Sequence, residues 1–240
     1  MGLNLGLMAD LDQPEVLLVT RPNGLGRLAA GDVPYPFSRT RELLAPYSPG
    51  LEPVIDLTLG EPRETMPAFV ADKIKEAEAL FKKYPPINGY PELRNAIASW
   101  LQRRYDVAVD PETEILPSNG SREGLFFAAL QAVGRKVAAG DERPAILMCN
   151  PYYAAYIGAA LATNAEPVYL NATAASRYLP DLDKLAEEPE LLGRAAALYL
   201  CSPSNPQGTA ASADYTARAL ELARKYDFIL FFDECYSEIY

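Results

Sequence analysis

An α/β fold built on a mainly parallel sheet is predicted by two observations. From residue 54 onward, short apolar runs alternate with segments whose apolar residues recur at helical spacing. The short runs are apolar almost throughout, as strands are when helices cover both faces of a parallel sheet.

The elements follow in order. Residues 1–32 show no sustained periodicity and read as a weakly ordered N-terminal extension. Within it "RPNGLGRLAAGD" is Gly-rich but opens no strand-to-helix unit, so its GxG carries no nucleotide reading. Residues 33–53 read as an arm or small-domain segment, with a short helix between prolines in "VPYPFSRTRELLAPYSPG", N-capped by Ser38. Residues 54–240 read as a large cofactor-binding domain, incomplete at its C-terminus. Its first strand is "VIDLTLGEP". The helix "MPAFVADKIKEAEALFKK" carries Pro67 near its start, and a loop "YPPINGY" leads to the helix "PELRNAIASWLQRRYD", opened by Pro91. Strand–helix pairs then follow: "EILP" with "SREGLFFAALQAVGRKVA", and "PAILMCN" with "PYYAAYIGAALA". After these come "EPVYL", "LDKLAEEPELL", "AAALYLC", the helix "SADYTARALELARKYD" and a last strand "FILFF".

Composition narrows the function. A net charge of -10 over 240 residues disfavours phosphate backbones and anionic membrane surfaces as partners. No apolar run approaches the roughly 20 residues of a membrane span. Histidine is absent, which removes Ser-His-Asp and Cys-His catalysis and every histidine-based metal site. Cys149, Cys201 and Cys235 lie at or near the ends of apolar runs without CxxC spacing, and read as buried free thiols of a cytoplasmic protein.

In a parallel sheet, ligands sit outside the carboxyl ends of the strands, so the residues just after each strand carry the information. After "EILP" comes Ser118-Asn119-Gly120-Ser121-Arg122 at a helix start. That turn either caps the helix or offers N–H groups and a hydroxyl to an anion. After "ILMCN" comes Tyr153, a packing residue or a stacking one. After "ALYLC", Asn205 begins an Asn-Pro pair, whose bond can be cis, in a turn that can aim its amide above the sheet. After "FILFF", Asp233 is a carboxylate leaving an apolar strand, costly unless something cationic or hydrogen-bonding meets it, and Tyr236 follows. One ligand answers all four ends: a planar, phosphorylated heteroaromatic ring with a protonated nitrogen, as in pyridoxal 5′-phosphate.

These motifs resemble, in family order and over nearly the whole chain after residue 34, a fold-type I, class I/II aminotransferase. The resemblance implies a three-layer fold of the pyridoxal-phosphate-dependent transferase type, with a mainly parallel mixed sheet. In "DLTLGEP" it implies a substrate-carboxylate loop with Gly60, and in "KKYPPINGY" a tyrosine, Tyr84, that reaches the cofactor phosphate of a partner subunit in a homodimer. In "NGSREGLF" it implies a phosphate loop of Gly120, Ser121 and Arg122, and in "NPYYAAY" a ring-stacking Tyr153. Asn205 and Tyr236 are implied at the ring oxygen, with Asp233 on the ring nitrogen. Asp233 and Tyr236 thus take the catalytic places. Within the family, "YPFSRTREL", "RRYD", "EILPSNGSREGLF" and "DECYSEIY" are most similar to succinyldiaminopimelate transaminases. That implies amino transfer between N-succinyl-diaminopimelate and 2-oxoglutarate, with Arg39, Arg41 and Arg63 near substrate-side segments.

One part of the family pattern is absent. The resemblance implies a Schiff-base lysine after the Asp-x-x-Tyr strand and a carboxylate-binding arginine near the C-terminus. The seven lysines all precede Asp233. The chain is therefore expected to be the first part of an aminotransferase, inactive alone. Alternatives are a lyase on the same fold and a non-catalytic aminotransferase-like module, for which the region before residue 35 is short and not basic. A nicotinamide-dependent enzyme lacks its glycine fingerprint after the first strand.

Overall fold

The computed structural model describes residues 36–48, 50, 53, 55, 60 and 64–239. The N-terminal extension, Arg63 and most of the expected first strand at 54–62 lie outside these residues. The described residues fall into two compact units, one up to Ser118 and one from Asn119 onward.

The first unit holds α1 (Pro36–Leu44), α2 (Ala68–Glu76) and α3 (Pro91–Tyr105). Helix α1 starts before the expected cap: Ser38 lies inside it and its Oγ accepts from Arg41 at 3.3 Å. The long helix expected over 66–83 is divided, with a 3-10 turn at Glu78–Lys82. The expected strand "EILP" is not a strand, because an apolar run becomes one only where a neighbour supplies its hydrogen bonds.

Helix α3 fixes the loop before it. Arg94 is 2% exposed and donates to the carbonyls of Asn88 (2.9 Å) and Gly89 (2.8 Å) and to Glu112 (2.6 Å). Gly89 has φ +78°, and a Cβ there would stand 2.7 Å from Pro117 Cγ, so only glycine fits. Arg94→Met removes three bonds made by a cation. We expect a loss of about 2–3 kcal/mol, since bonds to charged groups are worth ~1.5–3 kcal/mol each and do not add fully. Urea unfolding followed by the fluorescence of Trp100, on the same helix, is the measurement; an unchanged midpoint would contradict the clamp.

The second unit is a three-layer sandwich. Its elements are α4 (Ser121–Ala138), β1 (Ala145–Asn150), α5 (Ala154–Ala162), β2 (Glu166–Asn171), α6 (Leu182–Ala186), α7 (Pro189–Gly193), β3 (Ala195–Cys201), α8 (Ala213–Tyr226) and β4 (Ile229–Asp233). The strands lie in the order β2-β1-β3-β4, all parallel. Alternate side chains go to opposite faces. On one face Ile146, Met148, Ala197 and Tyr199 pack under α4 and α5. On the other, Leu147, Leu198 and Leu200 pack under α6, α7 and α8. Side-chain caps start two of the helices: Asp181 accepts from Asp183 N and Lys184 N at α6, and Ser212 from Tyr215 N at α8. Pro189 opens α7 and so separates it from α6.

The amino edge of the sheet is tied by charge. Lys136 of α4 is buried and donates to the carbonyls of Gly193 (3.0 Å) and Tyr226 (3.2 Å), just before β3 and β4. Glu166 Oε2 accepts from Arg143 (2.6 Å) and Arg194 (2.7 Å). The strand order reverses between β1 and β3, so at the other edge the chain leaves their carboxyl ends in opposite directions, the usual ligand position in such sheets.

Candidate active site

Four loops leave the carboxyl edge. Tyr199 and Phe231, inward-facing on β3 and β4, build a floor with Tyr156 of α5. The Tyr156 and Tyr199 rings stack at 4.2 Å and 7°, and Tyr199 meets Phe231 at 5.0 Å. Tyr199 Oη donates to Leu125 O at 2.7 Å, which ties α4 to this floor. Asp233 ends β4 in register with Cys201 of β3. Strand alternation turns its carboxylate to the same side as Phe231.

Asp233 is 7% exposed, yet the donors that meet it are neutral. Tyr156 Oη donates to its Oδ2 at 2.7 Å and the Cys235 amide to its Oδ1 at 3.3 Å. Burial, and then the bond to Asp233, hold the Tyr156 phenol well above its ordinary range, so it remains a donor. Tyr156 was not singled out in the sequence. Its only signal is its place three residues after Tyr153, one helical turn away on the same face.

The other expected residues fall into bonded pairs. Asn205 Nδ2 donates to Tyr236 Oη at 2.8 Å. Burial raises the Tyr236 phenol, against the Asn205 bond that lowers it. The Asn205–Pro206 bond is cis. The loop that carries Asn205 is held from inside: Ser204 Oγ accepts from Thr209 N (3.1 Å) and Ser202 Oγ from Ala211 N (2.9 Å). Arg122 Nε donates to Tyr153 Oη at 2.7 Å, and its guanidinium carbon lies 5.9 Å from that ring's centroid. The Tyr153 ring meets Tyr156 edge-on at 5.7 Å. Gly120 precedes α4 with φ +109°, a conformation for glycine, and no side chain caps this helix. Ser121 is its first residue.

Gly60 and Tyr84 belong to the first unit, and both are exposed, Tyr84 to 98%. Arg39 and Arg41 are exposed on α1. The thiols differ from expectation. Cys149 is buried and Cys201 partly so, but Cys235 lies exposed in the turn after β4. Burial raises Cys149 and Cys201 to about 11. Desolvation of the Cys235 sulfur, then the Asp233 charge, raise it to about 12, although the residue as a whole is exposed.

The arrangement fits pyridoxal phosphate on a structural ground. A buried carboxylate met by neutral donors alone is suited to a cation, and a protonated ring nitrogen supplies one. A parallel sheet clad on both faces, with such a carboxylate at its carboxyl edge, is the build of an α/β cofactor enzyme. Residues 52–240 match the family described as aminotransferase class I and II, and the chain belongs to that pyridoxal-phosphate-dependent family. It is 32% identical over 211 residues to the LL-diaminopimelate aminotransferase of Desulforudis audaxviator, covering 86% of this chain and 51% of that protein. The same enzyme of Aquifex aeolicus is 32% identical over 190 residues, 78% of this chain and 46% of the relative. Among solved structures, an aminotransferase from Neisseria meningitidis superposes with a TM-score of 0.78 at 39% identity, over 86% of this chain and 51% of its own. The aminotransferase AspB of Helicobacter pylori gives 0.75 at 33% identity, over 86% and 52%. The chain thus spans about half the length of the curated relatives it matches. Among the described residues no helix is long and apolar enough to cross a membrane.

Proposed function

We propose that this chain forms the cofactor-binding part of a cytoplasmic transaminase that moves an amino group between an amino acid and a 2-oxo acid. The observation that carries the reading is the buried Asp233 carboxylate, oriented by Tyr156 beside the Asn205–Tyr236 pair. Asp233 would hold the ring nitrogen of pyridoxal phosphate, Asn205 and Tyr236 the ring oxygen, and Tyr153 a ring face. Gly120, Ser121 and Arg122 would hold the phosphate at the α4 start. When bound, the cofactor supplies a ring that accepts electrons from the substrate's α-carbon. Asp233 keeps a proton on the ring nitrogen, which sustains that capacity. Tyr156 aligns the carboxylate by bonding Oδ2, and the ligand would share Oδ1 with the longer bond from the Cys235 amide. Asn205 and Tyr236 set the electron density at the ring oxygen. The stacked tyrosines beneath keep water from the carboxylate's inner side.

For the amine we propose a diaminopimelate skeleton, which has two amino-acid ends, with 2-oxoglutarate as the acceptor. The motif resemblance favours the N-succinyl form and the names of the relatives favour the free LL-amine. Gly60 would lie at a substrate carboxylate. Comparing kcat/KM for the two amines, aspartate and an aromatic amino acid tests this in a chain extended to the relatives' length. We expect N-succinyl-diaminopimelate to lead. A preference for the free amine corrects the substrate within the skeleton, and a preference for aspartate or an aromatic rejects the skeleton.

We further propose that this extended protein is a homodimer in which Tyr84 donates to the partner's cofactor phosphate. The support is the exposure of Tyr84 beside Pro85 and Pro86, which limit the freedom lost when the loop orders. A phenol bond to a phosphate is charge-assisted, worth roughly 1.5–3 kcal/mol. Tyr84→Phe should therefore speed cofactor loss about tenfold or more without unfolding. Equal cofactor retention by the Tyr84→Phe variant, or a monomeric mass in light scattering, refutes the assignment.

A further inference from the structure

At the carboxyl edge, two thiols that amino transfer does not use, Cys201 and Cys235, lie beside the Asp233 carboxylate. Cys201 Sγ, Cys235 Sγ and a carboxylate oxygen of Asp233 lie within 4.8 Å of one another. Cys201 and Asp233 are register partners on neighbouring strands, so two of the donors are fixed by the sheet. The third sits in the turn Cys235–Glu238, where the backbone can close on the other two. Its amide already bonds Asp233 Oδ1 at 3.3 Å, which keeps Cys235 over the carboxylate. We propose that Cys201, Cys235 and Asp233 form a site for a thiophilic divalent cation of the zinc class, and that its occupancy excludes pyridoxal phosphate from Asp233.

The chemistry favours a metal over a simple thiol pair. Two sulfurs and a carboxylate are a ligand set for Zn2+, with water as the fourth ligand. Tetrahedral Zn–S and Zn–O bonds set donors about 3.5–3.8 Å apart, so the cluster needs to contract by at most about 1 Å, on the side of the exposed turn. Tyr156, on Asp233 Oδ2 at 2.7 Å, serves as the outer partner that orients a ligating carboxylate. The cation would also neutralise a buried anion whose present partners are neutral. On binding, each thiol gives its proton to solvent as its sulfur–metal bond forms, and no electrons change hands. The carboxylate that holds a metal cannot also hold a protonated ring nitrogen. That exclusion rests on the cofactor reading above, whereas the metal site stands without it.

The test uses Co2+ as a spectroscopic probe on the full chain, freed of metal and reduced with a phosphine. We expect one Co2+ per chain, with a near-ultraviolet thiolate-to-cobalt band and tetrahedral visible absorption. Cys235→Ser, in the exposed turn, and Cys201→Ser should each weaken binding at least about 100-fold, more than loss of an outer partner typically does. Cys149 faces the other side of the sheet by strand alternation, so Cys149→Ser should leave the spectrum unchanged. No thiolate band, a band that survives both Cys201→Ser and Cys235→Ser, or a pair that only crosslinks on oxidation overturns the site. Added pyridoxal phosphate should displace the probe. If cofactor and Co2+ bind together, the exclusion is overturned; if the cofactor does not bind, the cofactor reading fails and the metal site stands on its own spectrum.

Discussion

Replacing Asp233 by Ala should lower pyridoxal phosphate affinity about 10- to 100-fold. That range is the ~1.5–3 kcal/mol of a hydrogen bond to a charged group, converted at about 1.4 kcal/mol per tenfold. The loss in turnover of an extended chain should be larger, because the residue also keeps the ring protonated while charge develops on it. Alanine leaves the Tyr156 hydroxyl without its acceptor, at a cost of about 1–3 kcal/mol, so some destabilisation comes with the change. Asp233→Asn separates the two effects. It keeps the volume and an acceptor for Tyr156 but removes the charge. Cofactor titration followed by absorbance, with circular dichroism as a check on folding, is the measurement. Unchanged affinity in both variants would reject the site.

The second large effect is an expected silence. The 240-residue chain alone should show none of the roughly million-fold or greater acceleration usual in enzymes. Two lysines of the second unit are engaged elsewhere and the third is exposed. Lys136 is committed to two carbonyls at the amino edge, away from Asp233. Lys225 lies over the Tyr226 ring at 5.0 Å, just before β4. Lys184 is exposed on α6. The other four lysines belong to the first unit and are exposed there. Pyridoxal phosphate added to the chain with an amino acid and a 2-oxo acid should give no amine transfer above the free cofactor. Borohydride reduction should leave no specific cofactor-linked peptide. Sustained transfer by the purified chain, or one lysine labelled stoichiometrically, would show that a residue already present serves.

Legibility in the sequence followed the range of the interactions. The four strands and the helices between them stand out because burial on both faces writes itself as local apolar runs. The residues read at the ends of three of these strands, Tyr153, Asn205 and Asp233, were legible for the same reason, since the strand announces its own end. What escaped depends on partners far along the chain. "EILP" has the local look of a strand and lacks the neighbour that would make it one. Ser38 reads as a cap, but the helix begins at Pro36, three residues before the one that such a cap would open. Tyr156 reaches Asp233 across 77 residues, and only the strand order brings them together. Cys201 and Cys235 are likewise brought together by the register of Cys201 with Asp233, two residues before Cys235, and their spacing resembles no metal motif.

The two edges of the sheet are held by different means. At the amino edge, one lysine and a carboxylate shared by two arginines lock the strand starts from within the chain. At the carboxyl edge, Asp233 is left with neutral company and so has something to gain from a guest. The sheet therefore has an anchored end and a responsive end. Changes of ligand, or of the loops that receive it, can be absorbed at the responsive end while the strands stay aligned from the anchored one. Such a division lets one scaffold be retuned to new substrates without being refolded.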